Sequence, residues 1–199
     1  MAGSREVMLV CEDQLGADML VRLVSHARPQ LSIRSVEVTR GNTRIAASIG
    51  KYARASQAGV AHIILTDLDR VACPPSLIAE WNVPEVPGYL LFRVAVREVE
   101  SWLLADNTGL AKFLGIPASK ISMQPDEVND PKENLMNLVR RCRNKRLKQD
   151  ILPETGSTAK KGVFYNERFG RFVRIDWNLE RAAKLSPSLN KALLRIGSF

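Results

Sequence analysis

Apolar positions alternate between short runs and helical spacing through the first half of the chain. Val7–Cys11 is a short apolar run, read as a strand, and Met19, Leu20, Leu23 and Val24 follow at the three- and four-residue intervals of a helix face. Pro29 stops that helix, and Ile33–Val38 alternates as a half-buried strand should. Asn42-Thr43 starts a second helix carrying Ile45, Ala46, Ile49 and Ala53 towards Gly59. Val60–Thr66 is the longest unbroken apolar strand, the pattern of a central strand covered on both faces. Ser76–Trp81 reads as a short helix, Tyr89–Val96 as a fourth strand and Arg97–Ala105 as a helix with Trp102, Leu103 and Leu104 inward. Strand–helix alternation of this kind predicts an α/β fold, a mainly parallel sheet with helices on both faces.

The second half loses the alternation. Ile116–Pro131 is an irregular connection, Lys132–Arg146 a basic amphipathic helix, and Pro153–Gly162 a mobile basic loop. Trp177–Lys184 and Pro187–Ile196 complete the predicted helices. We therefore divide the chain into an α/β unit over 5–115 and a basic, mainly helical portion over 116–199 packed on it. With 199 residues and 45% hydrophobic content, the chain can bury one substantial core.

Charge separates the halves further. The net charge is +8, yet residues 1–99 hold 11 Lys/Arg against 10 Asp/Glu, whereas 100–199 hold 18 against 11. The basic character belongs to the second half and favours an anionic partner. Arg140, Arg141, Arg143, Lys145 and Arg146 crowd one stretch, and Lys160 and Lys161 follow. That run predicts salt-dependent contact with nucleic-acid phosphates, against the common alternative of a solvated helix face. Phe164, Tyr165, Phe169 and Phe172 lie among these cations, either to stack on exposed bases or to form the core of this half. Cys11, Cys73 and Cys142 share no ligand spacing and read as reduced thiols of a cytoplasmic protein. No signal peptide and no membrane-spanning run is legible.

The acidic residues carry the sharper chemistry. Val60–Thr66 runs into Asp67-Leu-Asp69, and Val7–Cys11 runs into Glu12-Asp13. In parallel sheets the functional crevice lies beyond the carboxyl ends of the strands, which places Glu12, Asp13, Asp67 and Asp69 together with Arg97, Glu98 and Glu100. Clustered carboxylates repel and resist desolvation, and a divalent cation such as Mg²⁺ or Mn²⁺ resolves both problems. Asp13, one residue past its strand, is the weaker candidate. Of Glu98 and Glu100, two apart and unable to share a helix face, one is expected at the site and the other on an arginine. Asp106 reads as a helix cap and Trp102 as core. Gly156–Gly162 lacks the residue order of a P-loop, His26 and His62 stand alone, and Tyr165 has no catalytic company.

A strand ending in Glu12 and a later strand ending in Asp67-x-Asp69, in βαβαβ order, resembles the Toprim domain of topoisomerases, bacterial-type primases and overcoming-lysogenization-defect nucleases. Thr66–Arg70, Arg97–Asp106 and Ser186–Leu189 resemble small stand-alone bacterial Toprim-like proteins, some of them in anti-phage defence. The resemblance implies Glu12 as general acid/base and Asp67 and Asp69 as metal ligands; Glu100, placed past the fourth strand, is a further candidate contributor. It also implies Mg²⁺ or Mn²⁺ as cofactor and DNA or RNA as partner, with a partner ATPase as a candidate requirement. Asp13 stands where Toprim domains usually carry Gly, and Arg70-Val71 where small residues are usual. The competing expectation is a non-catalytic nucleic-acid or protein-binding module with a vestigial acidic site.

Overall fold

A computed structural model describes residues 5–199. Four parallel strands, β1 (Glu6–Cys11), β2 (Ser32–Val38), β3 (Ala61–Asp67) and β4 (Leu90–Ala95), form one sheet in the order β2-β1-β3-β4. The two central strands are the continuous apolar runs, and β3 is buried from Ala61 through Thr66. β2, at one edge, is largely exposed. The expected α/β class with a parallel sheet is what forms.

Side-chain alternation divides the core into two layers. Val7, Leu9 and Cys11 of β1, with Ala61, Ile63 and Leu65 of β3, face helix α1 (Gln14–Ala27). Val10 and Ile64 face the other way, towards α2 (Asn42–Gln57) and α3 (Pro74–Glu80). Beyond β4 come α4 (Glu100–Ala105), α5 (Asn107–Leu114), two short 3₁₀ turns, α6 (Pro131–Arg141), α7 (Lys145–Ile151), α8 (Tyr165–Ile175), α9 (Leu179–Leu185) and α10 (Pro187–Gly197). Their apolar stripes join the α1 layer, so Trp102, Leu135, Phe169, Phe172 and Ile196 belong to one core with the sheet.

Three expectations change. The helix after β4 begins at Glu100 rather than Arg97, because Arg97 takes a left-handed backbone, φ 61°. The predicted Lys132–Arg146 helix is two helices: α6 closes at Cys142, and Asn144 caps α7 by accepting from the Leu147 N–H at 3.1 Å. An asparagine inside a basic run is a cap signal as much as a solvated helix residue. Finally, the aromatic stretch forms α8, with Tyr165, Phe169 and Phe172 buried, so stacking on bases is excluded for these three. Phe164 alone stays exposed, at 47%.

Candidate acidic site

Each strand end delivers its acid by a different local device. Glu12 leaves β1 with its carbonyl accepting from the Arg40 N–H at 2.8 Å, which extends the ladder past β2. Its side chain crosses to β3, where Oε1 accepts from Thr66 Oγ1 at 2.5 Å and from the Asp67 N–H at 2.8 Å. Asp67 closes β3 and accepts at Oδ1 from the Val99 N–H at 2.9 Å, which ties β3 to the start of α4. Asp69 sits in a left-handed turn, φ 51°, with its N–H on the Arg97 carbonyl at 2.8 Å. Its exposed carboxylate accepts from Asn42 Nδ2 at 2.7 Å. Asp13 caps α1, accepting from the Gly16 N–H at 3.0 Å, and its other oxygen pairs with Lys161 Nζ at 3.3 Å.

The stretch after β4 completes the group. Glu98 accepts from the Lys132 N–H at 2.9 Å and pairs with Lys132 Nζ at 3.3 Å. Glu100, only 1% exposed, accepts at Oε1 from Tyr165 Oη at 2.8 Å and lies 3.3 Å from the same Lys132 Nζ. Its Oε2 is buried without a partner. Neither Glu98 nor Glu100 takes the arginine expected for one of them; the two share Lys132. Arg97 turns instead to the Asp69 and Val71 carbonyls, at 3.2 and 3.3 Å.

Electrostatics confirms that these groups share one neighbourhood. Burial pushes the Asp67 carboxyl well up, and the charges of Glu100 and Glu12 push it further. Burial likewise raises Glu12, against the hydrogen bonds from Thr66 and the Asp67 main chain that oppose the rise, while Asp69 and Asp13 add to it. Glu100 is raised by burial, offset in part by Lys132 and Tyr165. Lys132 is held above its ordinary value by Glu100 and Glu98 against the desolvation that lowers it. Tyr165 is pushed well up by burial and by Glu100.

The donor set suits a hard divalent cation: all oxygen, with Glu12 Oε2 and Asp67 Oδ2 taking no hydrogen bond among the described residues, Glu100 Oε2 buried without a partner, and an excess of like charge to neutralise. Among the described residues no three His, Cys, Asp or Glu side chains yet converge as a ready ligand set.

Lys132 is the residue sequence reading missed, having counted only as the first cation of an amphipathic helix. Asp130-Pro131 before it is a cap and first-turn signal, since Asp130 accepts from the Glu133 N–H at 2.8 Å. That start leaves the Lys132 N–H free to point at an anion, here Glu98. Lys161, expected on nucleic acid, turns to Asp13 and to Asn166 Oδ1, the latter at 2.9 Å. Lys160, Arg141, Arg143, Lys145 and Arg146 are exposed; Arg140 is exposed too but pairs with Glu133 at 2.8 Å. The α7 cations stand on a helix packed against α8, the element that brings Tyr165 to Glu100. Asp106 caps α5 as expected and also binds Arg181 at 2.8 Å; Trp102 is fully buried.

These features define an α/β protein with an acidic crevice at the carboxyl ends of a parallel sheet. The chain is similar to a solved structure, the C-terminal region of the Burkholderia pseudomallei OLD protein, at 16% sequence identity over 98% of each chain, with a TM-score of 0.47. No protein-family model and no curated protein matches it. Among the described residues no helix is long and apolar enough to cross a membrane.

Proposed function

We propose that the protein is a divalent-metal-dependent nuclease, or a closely related phosphoryl-transfer enzyme, acting on DNA or RNA. The observation that carries this reading is the placing of Glu12 at the end of β1 and Glu100 at the start of α4 close enough to Asp67, at the end of β3, that both raise its carboxyl on top of its burial. Such an arrangement destabilises the fold unless something cationic is gained, and structures tolerate it mainly at functional sites. The Glu12 and Asp67-x-Asp69 order of the Toprim resemblance supports the same assignment.

Glu12, Asp67 and Asp69 would hold Mg²⁺ or Mn²⁺. When bound, such an ion supplies neutralisation of charge on the phosphate and a lowered pKa for an attacking water. The chain's own residues do the rest. Glu12 has a free Oε2 and a raised affinity for protons, which suits it to accept the proton of that water. Tyr165 and Lys132 fix Glu100, so the acidic wall keeps its shape as charge changes. The exposed cations Arg141, Arg143, Lys145, Arg146 and Lys160 would bear the phosphate backbone. The resemblance supports a role in bacterial anti-phage defence, the unpaired Cys11, Cys73 and Cys142 support a cytoplasmic setting, and a partner ATPase is a further requirement to test.

One observation favours the non-catalytic alternative: the Asp69 carboxylate is engaged by Asn42 Nδ2. A single experiment separates the two readings. Purified protein and Asp67→Asn are incubated with plasmid and single-stranded DNA in Mg²⁺, Mn²⁺ or EDTA, and metal binding is followed by calorimetry. The nuclease reading expects metal-dependent cutting, lost in the variant and in EDTA. Absence of metal binding would leave a binding module.

A further inference from the structure

β4 is an edge of the sheet, paired with β3 alone among the four strands, and its Phe92 and Val94 are 8% and 6% exposed. The His62 and Leu68 N–H groups donate to the Tyr89 and Ala95 carbonyls, at 2.7 and 2.9 Å, so the odd-numbered residues of β4 face β3. By the alternation of a parallel ladder, the main-chain groups of Phe92 and Val94 point away from the sheet. Neither residue makes any other hydrogen bond among the described residues. Natural sheets usually cover or twist such an edge, because it is a template for another strand.

Here the edge forms the floor of a groove of about 370 Å³ between α3 and α10. The two walls differ in chemistry. The α3 wall is apolar, with Pro74, Pro75 and Ile78 beside Val94. On the α10 side Arg93 and Lys191 line the groove, and with Arg195 they also line a second cavity that shares these two residues. None of the three makes an ion pair among the described residues, and Arg93 Nε is buried with no partner. The one acid of the lining, Asp126, is engaged: its oxygens accept from Ser186 Oγ at 2.6 Å and the Ser188 N–H at 2.8 Å. Desolvation and the neighbouring Arg195 both lower the proton affinity of Arg93.

We propose that this groove receives an extended acidic peptide segment of a partner protein, added as a fifth strand alongside β4. Successive side chains of a strand point to opposite faces, so the two walls dictate the sequence of the guest. Residues facing α10 are acidic, meeting Arg93, Lys191 and Arg195, and residues facing α3 are apolar. The guest therefore alternates acidic and apolar positions. A second copy of this chain fits poorly, because it would bring its own three cations against the first.

The test is fluorescence anisotropy of a labelled peptide that alternates glutamate and valine, titrated with the full chain. Comparison peptides carry the same residues in two blocks, or N-methylated amides at every second position. The protein variant is Lys191→Glu with Arg195→Glu, both exposed, its fold verified by circular dichroism. We expect saturable binding of the alternating peptide, weakened about tenfold or more by blocking the sequence, by N-methylation and by the charge reversal. Equal binding of the three peptides would reduce the groove to a general anion site and overturn the proposal. Failure of the alternating peptide to bind would overturn it, as would its full displacement by an oligonucleotide of equal charge. Because none of Glu12, Asp67, Asp69 and Glu100 lines the groove, this outcome is independent of whether DNA is cut.

Discussion

At the scale of single residues, the acidic site sets function against stability. Asp67, Glu12 and Glu100 all hold protons more tightly in the folded chain than in the unfolded one, chiefly through burial. The folded state then binds more protons across the window between the ordinary carboxylate range and the raised values. Their contribution is most favourable below the ordinary range and is lost as pH rises through the raised values. In EDTA the melting temperature should therefore climb as pH falls from neutral towards mildly acidic conditions, and Mg²⁺ should shrink that difference. Asp67→Asn keeps an oxygen for the Val99 N–H while removing a charge from this cluster. We expect it to stabilise the metal-free protein by on the order of 1 kcal/mol at neutral pH while abolishing cleavage. A melt in EDTA showing Asp67→Asn less stable than the parent would refute this electrostatic account.

At the scale of elements, the loop between α7 and α8 is anchored where it returns. The Gly162 N–H donates to the Ile151 carbonyl at 2.8 Å, and the Phe164 N–H to the Asp150 carbonyl at 3.0 Å. A Cβ on Gly162 would stand 2.6 Å from the Asp150 and Leu152 carbonyl oxygens, which are main chain and cannot swing aside. Gly162→Ala should cost about 1–3 kcal/mol in a urea melt, and it should dislodge Lys161 from Asp13, raising the reactivity of that lysine to acylating reagents. The same level shows what could be read beforehand. The four strands and α1 to α3 were legible because unbroken apolar runs and spaced apolar residues have few alternative explanations. Glu12, Asp67 and Asp69 were legible because strand ends are fixed points in a parallel sheet. Lys132 and α8 were not: a lysine at a helix start looks like any surface cation, and aromatics among arginines fit a binding face as well as a core. Only tertiary packing resolved them, burying Tyr165, Phe169 and Phe172. The exposed cations before and along the first turn of α7 can still bear phosphates, so Arg143→Glu with Arg146→Glu should lower the salt slope of DNA binding by about one per lost contact, whatever the DNA sequence.

At the scale of the whole molecule, the basic second half is part of the scaffold that makes the acidic site. Trp102, Leu103 and Leu104 of α4 lie in one core with Leu135 and Leu138 of α6, Phe169 and Phe172 of α8, and Ile196 of α10. α1 packs on both α8 and α10. The polar links run the same way: Trp177 Nε1 donates to the Trp102 carbonyl at 3.1 Å, and the Asn178 N–H and Arg181 satisfy the buried Asp106 carboxylate at 2.7 and 2.8 Å. Both lysines and the tyrosine around the acids, Lys132, Lys161 and Tyr165, come from beyond residue 115. Cutting the chain there would expose the α1 face of the sheet, leave Asp106 without its arginine and strip Glu100 of Lys132 and Tyr165. A charge left buried without its partner is among the more destabilising changes available to a fold. A fragment ending at residue 115 should accordingly show no cooperative thermal transition and poor dispersion of amide resonances, although it contains all four strands and the acids Glu12, Asp67, Asp69 and Glu100. If instead that fragment melts cooperatively, the shared core is not what holds the sheet, and the acidic site must be stable without the cations now assigned to it.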